Sequence, residues 1–359
     1  MKKLLFIVLI PLLISCGSSK YSIEQPSELI EDQPLNAQEE GWLQLGIISH
    51  DEQDYDQAKE YYKRILQQKP NSASALYEIS YSSMESNNLE EALVYLKKGE
   101  KIDSENLYLF YHMHGITLDM LGKPKEAIKA FKKGIEVNPN FHLLHYSLAI
   151  TSLNVGDSDQ GMISLQNAVL TNFEHSSSHL LLGNLYRSNG NTIPAILAYT
   201  YFLFYESDTP RSDEVFQLIN ESFDSSERDT TTNEINITLN ALFGNSQDNE
   251  QMNGLGTVIA LHSVSSKYKK EGEQLSEIEF LVENYEYMLN LLGETQEDYE
   301  EKGFVREFYV PYLVQVKEAG YLETLVYLLF EHSNYEGVKE WIINDCVKCE
   351  EFYEWTPGE

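Results

Sequence analysis

The chain has 359 residues, 42% of them hydrophobic, and 57 acidic against 26 basic side chains give it a net charge of −31. So acidic a body repels nucleic acid and anionic lipid headgroups, and neither is expected to bind its folded part directly. Of three cysteines only Cys346 and Cys349 lie beyond the first sixteen residues, so no disulfide framework can hold the fold and packing must do so.

A basic start, Met1-Lys2-Lys3, is followed by an apolar run from Leu4 to Ile14 broken only by Pro11. As a helix that run would reach roughly 16 Å, about half of a bilayer's hydrocarbon thickness, so residues 1–15 are read as a signal sequence and not a membrane span. At its end, Leu13-Ile14-Ser15-Cys16 followed by Gly17-Ser18-Ser19 resembles the lipobox of bacterial lipoproteins. The resemblance implies diacylglycerol on the Cys16 thiol, cleavage just before it, and usually acylation of the new amine. One lipid chain binds reversibly, whereas two or three make a lasting anchor. Gly17, where enteric lipoproteins kept in the inner membrane carry Asp, points to the outer membrane. Residues 16–38 are polar, hold Pro26 and Pro34, show no helical stripe, and read as a flexible tether.

From there small residues recur: Ala58, Ala92, Ala127, Gly161 and Ala195, 34, 35, 34 and 34 residues apart. Twelve positions upstream stand Gly46, Ser80, Gly115, Ala149 and Gly183; four downstream stand Tyr62, Leu96, Phe131, Leu165 and Tyr199. A fixed period of this length means stacked copies of one unit. Within a copy the apolar spacing is helical, as in Ala127, Ala130, Phe131 and Gly134, and Asn87-Asn88, Gly122-Lys123-Pro124 and Asn189-Gly190-Asn191 have turn chemistry. Small residues mark where two antiparallel helices cross closely. The pattern resembles the tetratricopeptide repeat, a helix-turn-helix of 34 residues. The fold expected is all-α: a right-handed solenoid of five copies over residues 39–209, then a helical C-terminal domain over 210–359. The fourth copy, with Gly161 inside a helix and neither an aromatic at 165 nor a closing proline, is expected to be the most irregular.

The C-terminal domain carries 31 acidic and 10 basic residues, against 22 and 13 over 38–209, and the composition breaks near Ser207 to Asp213. Helices are expected over 213–245 and 256–295 with a polar loop at 244–254, then over 304–316, kinked at Pro311, 321–330 and 338–343. Tyr309-Val310-Pro311-Tyr312, Gly320-Tyr321, Trp341 and Phe352 to Trp355 loosely resemble the C-terminal part of repeat-bearing envelope proteins of Bacteroidota-type bacteria, which implies no activity. This domain is expected to cap the open end of the repeats.

Catalytic motifs are lacking: no Gly-x-Ser-x-Gly, no His-Glu-x-x-His, no phosphate loop. No catalytic residue, cofactor or metal is assigned. Glu297, Asp298, Glu300, Glu301, Glu350 and Glu351 are read as solvated carboxylates. Cys346-x-x-Cys349 lacks the second cysteine pair that zinc would need. His175 and His179 are one helical turn apart, but His145 and His179 hold a position that packs between the two helices of a copy.

In tetratricopeptide solenoids the first helix of each copy lines the concave face. By that resemblance a partner-binding groove comprises Leu43 and Ile47, then Tyr77, Tyr81 and Met84, then His112 and Ile116, then Tyr146 and Ile150, then Leu180, Asn184 and Arg187. The Lys and Asn with which some members clamp a carboxylate terminus are replaced here by Leu43, Ile47, Tyr77 and Tyr81, so acidic chaperone tails are not expected. Aromatic anchors beside Met84 suit a peptide with apolar side chains. The function expected is a protein-interaction scaffold, not an enzyme, lipid-anchored at Cys16 in the bacterial envelope. The alternative is an enzyme or a ligand- or metal-binding protein, with its site in the C-terminal domain or the groove and the repeats as a docking module.

Overall fold

A computed structural model of the chain describes residues 29–224, 226–228, 235–237, 250–269, 274–295 and 303–355. The expected leader, Cys16, the tether up to residue 28 and Glu297 to Glu301 lie outside the described residues. The chain forms two compact units, the first ending at Thr171 and the second beginning at Asn172.

Ten helices make the five expected hairpins: α1 (Ala37–Asp51) and α2 (Tyr55–Gln68), α3 (Ala73–Glu85) and α4 (Leu89–Gly99), α5 (Leu107–Met120) and α6 (Pro124–Val137), α7 (His142–Asn154) and α8 (Ser158–Thr171), α9 (Ser176–Ser188) and α10 (Thr192–Tyr205). Each hairpin turns through one left-handed residue at the same repeat position: Gln53 (φ 64°), Asn87 (58°), Gly122 (70°), Gly156 (84°) and Gly190 (75°). Glycine adopts that conformation freely and asparagine tolerates it, whereas Gln53 is strained.

The small residues do what their period implies. A Cβ built on Gly46, Gly115 or Gly183 would lie 2.3 to 2.5 Å from the ring of Tyr62, Phe131 or Tyr199, so the glycine is the socket for the aromatic sixteen residues on. At the same repeat positions the second and fourth copies have Ser80 with the smaller Leu96 and Ala149 with Leu165, and all four are fully buried. The fourth copy is not the most irregular. Its helices match the others in length, and Leu153 fills the space beside Gly161, where a Cβ would come within 2.5 Å of its Cδ2. Irregularity falls between α4 and α5, where α4 stops after 11 residues and a short strand intervenes.

That strand, β2 (Ile102–Asp103), pairs in parallel with β1 (Ile30–Glu31). The Ile30 amide donates to the Lys101 carbonyl at 2.8 Å, the Asp32 carboxylate accepts from the Ala73 amide at 2.8 Å, and Gln33 Oε1 accepts from the Asn71 amide at 3.0 Å. Residues 30–33 are therefore bound to the repeats, unlike the free tether expected for 16–38. Asp32 takes one of the unpaired first amides of α3, so the segment has a place to bind. Asn36 then caps α1 in a box with Glu39.

The second unit holds α9 and α10 together with α11 (Pro210–Phe223), α12 (Glu250–Lys267), α13 (Glu277–Glu294), α14 (Val310–Glu318), α15 (Leu322–Leu329), α16 (Val338–Asn344) and α17 (Cys346–Glu354). The helix expected over 213–245 ends at Phe223 and is followed by an antiparallel pair, β3 (Ser226–Arg228) with β4 (Ile235–Ile237). The one expected over 256–295 is two helices, the second started by a Ser276–Glu279 capping box. The kink expected at Pro311 takes the form of a π-helical turn, Val305–Tyr309, just before it. Proline has no amide to donate and its ring crowds the carbonyl four residues back, which a wider turn relieves.

Candidate interaction surface

In the first unit, α1, α3, α5 and α7 present one row of side chains from successive copies. Leu43 and Ile47, Tyr77 and Met84, His112 and Ile116, and Tyr146 and Ile150 are half-buried, and Tyr81 is 36% exposed. Tyr77, Met84 and Ile116 rest on the core of the second and third copies, so their buried sides hold them in place while the other side faces solvent. Rings cross the copies: His50 stacks on Tyr81 with centroids 4.6 Å apart and bonds Ser82 Oγ at 2.8 Å, and Tyr77 meets Phe110 edge-on at 5.7 Å. His112 bonds Ser147 Oγ of the next copy at 3.0 Å.

Burial sets the electrostatics of this row. It lowers the pKa of His112 to about 4, so the imidazole is neutral at physiological pH. Burial, with the charge of Glu78 adding to it, raises Tyr77 to about 12. Glu78 itself, half-buried beside these tyrosines, is raised by burial and then by Asp51. Sequence reasoning left out Glu78; a carboxylate between Tyr77 and Ile79 on a groove-lining helix was the available sign. The surface is thus apolar and aromatic with carboxylates set among its rings.

The remaining predicted groove residues belong to the second unit. Leu180 is half-buried, while Asn184 and Arg187 are exposed; Asn184 accepts from the Tyr199 hydroxyl at 2.8 Å and Arg187 pairs with Glu221 at 2.9 Å. Their polar groups serve contacts within their own unit.

The histidines at the packing position are where the repeat register puts them. His145 and His179 are buried, and each places Nε2 on the carbonyl six residues back, Pro139 at 2.8 Å and Phe173 at 2.7 Å. A carbonyl only accepts, so in both rings Nε2 carries the proton. In His179 Nδ1 then accepts from the Tyr309 hydroxyl at 2.9 Å, while Tyr201 donates to the Tyr309 carbonyl at 3.0 Å. His175 bonds Ser178 Oγ at 2.7 Å. Among the described residues no group of three or more His, Cys, Asp or Glu could hold a metal ion. Cys349 is buried. Glu350 and Glu351 are exposed, as expected for solvated carboxylates.

Stacked helical hairpins with a row of half-buried rings define a repeat protein of the peptide- and protein-binding kind. Family models of the tetratricopeptide repeat match residues 49–108 and 109–141, so the chain carries tetratricopeptide repeats within an all-α solenoid. Among solved structures it is similar to a crystal structure of MamA (21% identity, TM-score 0.40, 44% of this chain and 92% of that one). It is similar also to Pseudomonas aeruginosa pilF (19%, 0.46, 51% and 86%) and to YrrB, described as a tetratricopeptide-repeat protein with an unusual peptide-binding site (17%, 0.40, 49% and 90%). Such likeness concerns the fold alone. No curated protein matches the chain.

Proposed function

We propose that this protein is a lipid-anchored interaction scaffold of the bacterial envelope, held at Cys16 and binding a partner segment along its first four repeats. The observation that carries the binding half is the Tyr81 ring, 36% exposed and stacked on His50 between two copies. Rigid aromatic rings lose little entropy on binding, and Met84 beside them adapts to shape. Apolar side chains flanked by Lys or Arg suit the row best, because Asp51, Glu78 and Glu85 stand along it and carboxylates in a partner would be repelled. The anchoring half rests on the lipobox-like Leu13 to Cys16.

The test pairs Tyr81→Ala with crosslinked purification of the full chain from solubilised membranes. Loss of the captured protein with an unchanged melting temperature supports the groove; undiminished capture overturns it. For the anchor, Cys16→Ala abolishes incorporation of labelled palmitate and blocks cleavage after Ser15; continued labelling refutes it.

A further inference from the structure

The second helices of the first three copies repeat a feature that the groove does not use. Five and six residues after Ala58, Ala92 and Ala127 stand Lys63-Arg64, Lys97-Lys98 and Lys132-Lys133; the fourth copy has Gln166-Asn167 and the fifth Thr200-Tyr201. The same register places these six cations on the same side of α2, α4 and α6, and Lys63 and Lys98 line one shallow cleft with Leu66, Pro70 and Tyr95. All but Lys63 are exposed, and Lys63 alone has an ion pair among the described residues, with Glu60 at 3.6 Å. Arg64 and Lys98 lie over the rings of Tyr61 and Tyr95 at 5.5 and 5.4 Å. Helices α2, α4 and α6 carry nine basic and six acidic residues, a net +3, so the rest of the chain holds −34 of the total −31.

We propose that this ladder is the face the protein lays on an anionic lipid surface. The inference rests on the anchor at Cys16 proposed above. Residue 30 is fixed beside the ladder, since its amide bonds the carbonyl of Lys101, three residues past Lys98. From Cys16 to Leu29 the chain can span at most about 45 Å, so an anchored molecule has this edge within reach of the headgroups. Acidic side chains more than about 10 Å from the lipid are screened at ordinary salt and do not cancel the attraction, while Glu31 and Asp103 of the β1–β2 pair reduce it locally. Each lysine at an anionic surface strengthens binding about fivefold. On this face the local charge is opposite in sign to the net charge from which repulsion was expected.

The experiment reconstitutes the full lipidated chain in vesicles of phosphatidylcholine alone or mixed with phosphatidylglycerol and follows acetylation of single lysines by mass spectrometry. Lys97, Lys98, Lys132 and Lys133 should react about fivefold more slowly on the anionic vesicles, with high salt removing the difference and exposed Lys339 unaffected. In Lys98→Glu/Lys132→Glu/Lys133→Glu, Lys97 should no longer distinguish the two vesicles. Equal rates on both vesicles in the parent chain would overturn the proposal. So would protection that grows with protein concentration without vesicles, which would assign the ladder to an acidic face of a second copy. Failure of the anchor reads out separately, as loss of flotation with phosphatidylcholine vesicles.

Discussion

His179 offers a direct test of the packing in the second unit. Its ring is fully buried, Nε2–H donates to Phe173 and Nδ1 accepts from Tyr309, and burial lowers its pKa from 6.5 to about 4. The folded state therefore refuses a proton that the unfolded chain takes up below about pH 6.5. Stability from this group is full at neutral pH and is lost progressively as pH falls from about 6.5 towards 4. A shift of about 2.5 units corresponds to about 3 kcal/mol over that window, at roughly 1.4 kcal/mol per unit. Carboxylates add their own acid dependence, so the measurement is a difference between the parent and His179→Gln. Gln cannot titrate and retains a donor for Phe173. Both are made with Trp42→Phe, which leaves Trp341 and Trp355, both in the second unit, as the fluorescent reporters of urea unfolding. The parent should lose about 3 kcal/mol more than His179→Gln between pH 7 and 4. Equal losses, or a His179 resonance titrating near 6.5, would refute the assigned tautomer and burial.

Two further outcomes test the first unit. Gly115→Ala forces a Cβ to within 2.3 Å of the Phe131 ring and should cost about 1–3 kcal/mol from crowding, less about 1 kcal/mol that alanine returns as the better helix former. With Phe131→Leu in place the same change should become stabilising, and a thermal double-mutant cycle without that sign change would show that the socket does not set the fit. Asp32→Ala removes the acceptor for the Ala73 amide and should cost about 1 kcal/mol, with faster hydrogen exchange at Ala73 and Ile30. Unchanged exchange would mean that residues 30–33 are not held on the repeats.

The repeats were legible because their physics is periodic. A small residue must face a large one wherever two helices cross, and the same fit recurs every 34 or 35 residues, so Gly46 with Tyr62 and Ser80 with Leu96 are two solutions of one constraint. Faces followed from register, which sorted His145 and His179 into packing and Tyr81 into the exposed row. What escaped has no period. The β1–β2 pair is two residues long and joins positions 72 apart, and Asp32 caps a helix begun 41 residues later. A single carboxylate in a polar stretch looks the same whether it binds an amide or water. The turn after Phe223 escaped for a related reason: the polar run beyond it contains no proline or glycine before Gly244 to mark the end of α11.

The fifth copy shows why a change in charge need not mark a change in packing. Composition breaks near Ser207 to Asp213, after the last hairpin, yet the second compact unit already begins at Asn172. The cause lies in α10. In earlier copies the positions five and six after the small residue are exposed, as Lys97-Lys98, or half-buried, as Gln166-Asn167, whereas here they are Thr200 and Tyr201, both buried. Every residue from Ile193 to Leu203 is buried, so α10 has apolar surface to cover on all sides and needs helices other than a repeat partner. It obtains them from its own unit: Thr200 bonds the Tyr285 hydroxyl of α13 at 2.7 Å, and Tyr201 stacks on Tyr309 of the π-helical turn at 4.8 Å. The hairpin keeps the repeat's crossing, with Gly183 still seating Tyr199, while its outer face has been recast as core. Net charge per segment misses that conversion because Thr200-Tyr201 is as neutral as Gln166-Asn167 of the fourth copy.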